Sequence, residues 1–194
     1  IAHGSNDMGF VLALDVATPA SGGTLRHVEG DEAQGYVHNY GTAGIIARAT
    51  VRLEPLQDWR GLYASFPDFS GALSVLRALG RMTPAPRLVS ADTPHITAQL
   101  PPDEAFVEGR SSLRMIADAR ILDDSIALIE QAGGRIEDVR EGPGVSAAIS
   151  VLSYNHPIEW LQKSEPGVYF HVEVSGDALV ERIRTHDLSQ PVDV

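Results

Sequence analysis

The sequence predicts an α+β protein, and three observations carry that assignment. Short segments alternate apolar and polar residues with the period of a half-buried strand, as Ile46 to Glu54 does. Other segments carry helical spacing: Phe69, Ala72, Leu73, Leu76 and Leu79 fall at i, i+3, i+4, i+7 and i+10. Between residues 60 and 140 the order reads strand–helix–strand–strand–helix–strand, which favours an antiparallel sheet with both helices on one face.

Length and composition bound the rest. A chain of 194 residues can form one large or two small domains and bury a core without disulfides or metal. Net charge is −11, which argues against a nucleic-acid or anionic-membrane partner. With no cysteine, disulfides, thiol catalysis and cysteine-ligated metal are excluded. The apolar run Phe10–Val16, interrupted by Asp15, is too short to span a bilayer, and no signal-peptide pattern opens the chain. A cytoplasmic location is expected. The chain starts Ile1-Ala2-His3-Gly4-Ser5 and enters a strand almost at once, which reads as part of a longer polypeptide.

In order, Phe10–Thr18 is a continuous apolar run, expected to be a strand covered on both faces. A Pro19–Gly23 turn leads to a return strand over Thr24–Val28, and a short helix is expected from Gly30 or Asp31 to Val37. The loop Asn39–Gly44 then runs into a strand with one buried face that Pro55 ends. From Trp59 the pattern changes. Leu62–Phe66 is a strand, Asp68 or Ser70 caps the helix that follows, and Arg87–Ala91 and Ile96–Leu100 read as extended. Ser111–Ala117 is a strand, Asp123-Asp124 open a second helix, Gly133-Gly134 end it, and Arg135–Val139 completes the ferredoxin-like split unit. Ser146–Leu152 fits helix or strand equally. A strand over Val168–Val174 and a helix from Ser175 or Asp177 to Arg184 follow.

The chemistry is sparse. No nucleophile elbow, phosphate-binding glycine–lysine loop, HExxH or GxGxxG motif is present, and the seven histidines lack metal-ligand spacing, so no metal site is expected. Asp118, Asp123 and Asp124 invite a paired-carboxylate reading, but acidic residues at a strand end and at the start of a helix, favoured there by the dipole, are the better reading. His156, in Tyr154-Asn155-His156-Pro157, is the best single candidate for chemistry: proline fixes the backbone, and an Asn–His pair can donate to an oxygen or move a proton near neutral pH. Asn and His before proline are also ordinary turn formers. Gly41 and Gly44 can let a ligand press on bare backbone, or simply make a tight turn.

The stretch Gly41-Thr42-Ala43-Gly44-Ile45-Ile46, followed by alternating strand residues and Arg52-Leu53-Glu54-Pro55, resembles a segment of the FAD-linked oxidases, the vanillyl-alcohol-oxidase-like family. Gly4-Ser5 before the Phe10–Thr18 strand, and Asn155-His156 after the split unit, are similar to that family's pattern as well. Ala47 departs from it, standing where the family usually has threonine. The resemblance implies that residues 1–55 are the C-terminal part of an FAD-binding domain whose N-terminal, diphosphate-binding half lies outside this sequence. Residues 56–194 would then be a ferredoxin-like cap or substrate domain with a C-terminal extension. It further implies FAD as cofactor and oxidation of a small-molecule substrate by hydride transfer to flavin. Gly41, Thr42, Ala43, Gly44, Ile45 and Ile46 would line the adenine–ribose side, with Gly4 and Ser5 near the diphosphate or ring, and His156 and Asn155 facing the substrate. Half of a cofactor cleft is expected to bind flavin weakly or not at all and to be inactive alone. The alternative reading is a non-catalytic ferredoxin-like module that senses a small molecule; a third is an interaction domain, including a homo-oligomer, using an exposed face of residues 1–55.

Overall fold

The computed structural model describes residues 9–53, 57–154 and 156–169. The chain divides into two compact units, Ile1–Leu56 and Gln57–Val194. It is an α+β protein whose sheets are antiparallel throughout.

In the first unit, strand β1 (Val11–Ala17) lies between β2 (Arg26–Glu29) and β3 (Ile45–Val51). Helix α1 (Gly30–Gln34) lies over one face, where Ala33 meets Val11, Leu14, Val16 and Val28, and Tyr36 and Val37 pack beside it. The helix is shorter than the sequence predicts. Past Gln34 the Gly35, Tyr36 and Val37 amides bond the carbonyls three residues back, those of Glu32, Ala33 and Gln34, so the segment to Val37 is a tighter turn in place of α-helix. Two burial expectations fail here. Leu12 is exposed although its apolar run predicts cover on both faces, and every residue of β3 is exposed although its alternation predicts a buried face. The alternation records which side of a strand is apolar; cover depends on a second layer, and α1 shields only one face of this sheet.

The second unit carries β4 (Trp59–Phe66), α2 (Phe69–Gly80), β5 (Leu88–Asp92), α3 (Pro94–Thr97), β6 (Ser111–Asp118), α4 (Leu122–Gln131), β7 (Arg135–Glu141), α5 (Val145–Ser150) and α6 (His156–Ser164). The sheet order is β5-β6-β4-β7, the ferredoxin-like arrangement that the strand–helix order predicts. Asp68 caps α2 by accepting from the Gly71 amide at 2.9 Å. Leu62, Ala64 and Phe66 of β4 and Leu113 and Met115 of β6 meet Leu73 and Leu79 of α2 and Ile129 of α4 in one core. Each large aliphatic or aromatic side chain buried there contributes about 1.5–3 kcal/mol.

Helix α5 packs on the opposite face at Gly61, where a Cβ would stand 2.3 Å from Val145 Cγ2 and 2.9 Å from Ile149 Cδ1. This settles Ser146–Leu152 as helical. The expected extended segment Ile96–Leu100 is instead α3 and its exit turn. Pro94 opens that helix, and the Thr97 hydroxyl donates back to the Thr93 carbonyl at 3.0 Å. The strand expected from Val168 and the helix after it run into residues 170–194, outside the described residues. Among the described residues no helix is long and apolar enough to cross a membrane.

Candidate functional site

The glycine loop of the first unit owes much of its shape to Asn39. Its side-chain oxygen accepts from the Gly41 amide at 2.9 Å, and its carbonyl accepts from the Thr42 amide at 3.0 Å and the Thr42 hydroxyl at 2.7 Å. Gly41 sits at φ +76, where a side chain is strained, and a Cβ there would meet nothing within 4 Å. Gly44 is glycine for another reason: a Cβ would lie 2.7 Å from Val16 Cγ1 and 2.9 Å from the Ala17 carbonyl oxygen. Both glycines therefore have structural causes within the unit. Ile45 and Ile46 present apolar side chains to solvent, 74% and 45% exposed.

An open backbone at Gly41 beside exposed Ile45 and Ile46 suits the flat, largely apolar face of an adenine. A diphosphate is less well served, because the Gly41 and Thr42 amides are already engaged and residues 41–46 hold no basic side chain. Gly4 and Ser5 lie outside the described residues, as does Asn155.

His156 belongs to the second unit. Proline was expected to keep its backbone out of the helical region; instead His156 begins α6, with Pro157 in the first turn, where a missing N–H costs nothing. Its Nδ1 lies 2.9 Å from the Ser153 carbonyl oxygen. A carbonyl can only accept, so Nδ1 carries the proton, and in the neutral ring Nε2 keeps its lone pair. Tyr154, just before, takes φ 60, and burial pushes its phenol pKa up. Asp118, at the end of β6, accepts from the Arg120 guanidinium at 2.8 Å and from the Arg120 amide at 2.9 Å, which hold it down to about 2. Asp123 and Asp124 occupy the first turn of α4, as the dipole argument requires.

Sequence reasoning missed the polar face of the second sheet. Strand pairing sets Asp138, Tyr63, Arg114 and Ser90 in one row across all four strands, with Ser65, Ser112 and Asp92 in the next. Arg114 and Asp92 are fully buried and ion-paired; the Arg114 guanidinium also donates to Ser112 at 3.0 Å and Ser90 at 3.1 Å. Arg140 grips Asp103 with two bonds of 2.8 and 2.6 Å and lies 4.2 Å over the Tyr63 ring. That grip holds the Asp103 carboxyl below the usual range, and burial raises the Tyr63 phenol. The signal was available: Arg114 and Ser112 break the apolar pattern of β6, a central strand, and Asp92 ends the edge strand β5 beside it. Among the described residues no three metal-ligand side chains gather.

No protein-family model and no curated protein matches the sequence. Solved structures do match in fold. Two crystal forms of alkyldihydroxyacetonephosphate synthase align with TM-scores of 0.53 and 0.52 at 14% and 13% identity. Each alignment covers 80% of this chain and 33% or 32% of the synthase, so the chain spans about a third of the proteins it matches. At the level of fold, the chain is similar to about a third of that synthase.

Proposed function

We propose that this chain is part of an FAD-dependent oxidoreductase acting on a small organic substrate, with residues 1–55 belonging to the flavin domain and residues 56–194 supplying the substrate side. The observation that carries the reading is the fold match to an FAD-linked oxidase-family enzyme over 80% of the chain, a share larger than either unit supplies by itself. The glycine loop supports it through its open backbone at Gly41 beside the exposed Ile45 and Ile46.

In this reading Gly41, Thr42, Ala43, Gly44, Ile45 and Ile46 line the adenine–ribose end with backbone and apolar side chains. Gly4 and Ser5 approach the diphosphate. When bound, the flavin supplies the acceptor for a hydride. The chain's own contribution on the substrate side is His156. With Nδ1 tied to Ser153, its Nε2 is free to take a hydroxyl proton, and Asn155 orients the same oxygen.

Cofactor content tests the reading. The polypeptide isolated from its native source carries flavin, identified as FAD by the fluorescence rise after phosphodiesterase cleavage, and Gly41→Val lowers that content severalfold. A colourless preparation that takes up no FAD on incubation overturns it.

A further inference from the structure

The segment that joins α3 to β6 is pinned at both ends and lightly held between them. Residues 101–110 carry no helix or strand. At the α3 end Thr97 donates to Ser112 at 3.1 Å, and at the β6 end the Arg110 guanidinium donates to the Ser65 hydroxyl at 2.8 Å. Between those anchors Ala105 is buried, while Pro102, Glu104, Glu108 and Gly109 are exposed. The polar contact that holds the middle down is the pair of bonds, 2.8 and 2.6 Å, from Arg140 of β7 to Asp103.

Tyr63 lies beneath, 1% exposed. Phe106 meets its ring edge-on at 6.1 Å and lies 5.8 Å from the Arg114 guanidinium, and the Arg140 guanidinium covers the Tyr63 ring at 4.2 Å. Two groups that cover Tyr63 are thus Arg140 and a residue of the segment it holds. Tyr63 Oη and Arg114 Nε are buried and have no hydrogen-bond partner among the described residues. Covering them forfeits the water they would bind, and uncovering them restores it. Arg140 also has a second partner, because its Nε donates to Asp138 of its own strand at 2.6 Å. Releasing Asp103 therefore leaves no unpaired cation, and the Arg140 and Asp138 side chains are already 33% and 42% exposed.

We propose that residues 101–109 form a lid over Tyr63 and Arg114 with Arg140 as its latch: the guanidinium holds Asp103 and Asp138 when the lid is closed and Asp138 alone when it is open. Each state offsets what the other loses. The closed lid gains the two bonds to Asp103 and the Phe106 contacts; the open one hydrates the Tyr63 hydroxyl and Arg114 Nε. A partly exposed ion pair tips that balance, so the lid responds to salt. The device lies within the second unit and needs no flavin.

Glutamyl endopeptidase tests it on the full chain, since Glu104 and Glu108 are exposed cleavage points within the lid and local cleavage tracks the open population. Asp103→Asn removes the charge and keeps an acceptor for the Ala105 amide, which Asp103 binds at 2.9 Å. It speeds cleavage about tenfold, the worth of a good charge-assisted contact, and raises nitration of Tyr63 by tetranitromethane by a like factor while the thermal melt stays cooperative. Asp138→Asn slows cleavage about threefold, because the open state loses the partner it leaves to Arg140. The opposite signs separate a latch from plain structural support, for which both variants would loosen the segment. In the wild-type chain, raising salt from about 0.05 to about 0.5 M speeds cleavage severalfold relative to a free peptide of residues 98–112, a measurement that needs no variant to fold. Wild-type cleavage of a folded Asp103→Asn, unchanged or faster cleavage of Asp138→Asn, faster cleavage with Tyr63 still protected, or a wild-type rate indifferent to salt overturns the proposal.

Discussion

Strands β3 and β6 are close in length, seven and eight residues, and opposite in environment: every residue of β3 is exposed and every residue of β6 is buried. Both strands carry an arginine bonded to an aspartate of the same sheet. In the first unit Arg48, with its side chain 78% exposed, bonds Asp15 across the strand at 2.9 Å. In the second, Arg114 and Asp92 are sealed from water. The same chemical pair thus has two meanings. Where a second layer covers the sheet, the pair fixes the structure; where none does, water screens it.

The largest expected effect comes from breaking each pair. Asp92→Ala leaves a buried guanidinium uncompensated and should destabilise the second unit by about 3–5 kcal/mol. Arg48→Ala should cost about 0–1 kcal/mol, the range of exposed ion pairs. Urea denaturation of the two variants reads the difference directly. Equal costs would mean that burial does not distinguish the pairs and would remove the contrast. Replacing Asp92 and Arg114 together by apolar residues should recover most of the loss, because the penalty lies in the unpaired charge.

The same contrast explains what could be read from the residues and what could not. The split β-α-β-β-α-β order was legible because each of its helices carries a clear apolar stripe, with Leu73, Leu79 and Ile129 reaching the core as the spacing requires. Asp68 was legible as a cap because capping is local. The burial of β3 was misread because alternation specifies a face and is silent about what lies over it. Helix α3 was missed because its helical span, Pro94–Thr97, is too short to show a period, and Pro94 reads first as a breaker. In the candidate site, Gly41 was legible from its residue type. The Tyr63–Arg114–Asp92 face was not, since its members are up to 51 positions apart (Arg114 minus Tyr63) and meet only through strand register.

A middle-sized effect separates two glycines whose necessity has different origins. Gly61 is glycine because Val145 and Ile149 of α5 press on it, so Gly61→Ala should cost about 1–3 kcal/mol by overpacking. Gly41 is glycine because of its φ of +76, with open space around it, so Gly41→Ala should cost about 1–2 kcal/mol through backbone strain alone. Asparagine tells them apart. It tolerates left-handed backbone, so Gly41→Asn should recover much of the loss, whereas Gly61→Asn should be worse than alanine. Thermal melts of the four variants decide this, and a Gly41→Asn variant no better than Gly41→Ala would mean that space at Gly41 is limiting after all.

The smallest effect lies in the first unit's response to pH. His27 bonds Asp15 through Nδ1 at 2.6 Å and Glu29 through Nε2 at 3.0 Å, and Asp15 also accepts from Arg48. With Asp15 first and Glu29 second, these carboxylates raise the imidazole above its ordinary value, while the bond from His27 lowers Asp15. The signs follow from linkage. A raised histidine contributes stability that is fully present below its unfolded pKa of about 6.5 and lost as pH climbs through the folded value. A lowered aspartate contributes stability that is present above its ordinary range and lost as pH falls through the folded value. The first unit should therefore soften slightly on the alkaline side of neutral as well as in acid. The second unit's Asp118, held at about 2, gives only an acid limb, fading between its ordinary 3.8 and about 2. His27 is largely exposed, so the alkaline change is small, and NMR of its ring protons is the sensitive probe. Asp15→Asn should return the His27 titration toward neutrality, and His27→Gln should abolish the alkaline softening while leaving the acid limb of Asp118 in place; an alkaline softening that survives His27→Gln would assign it to another group.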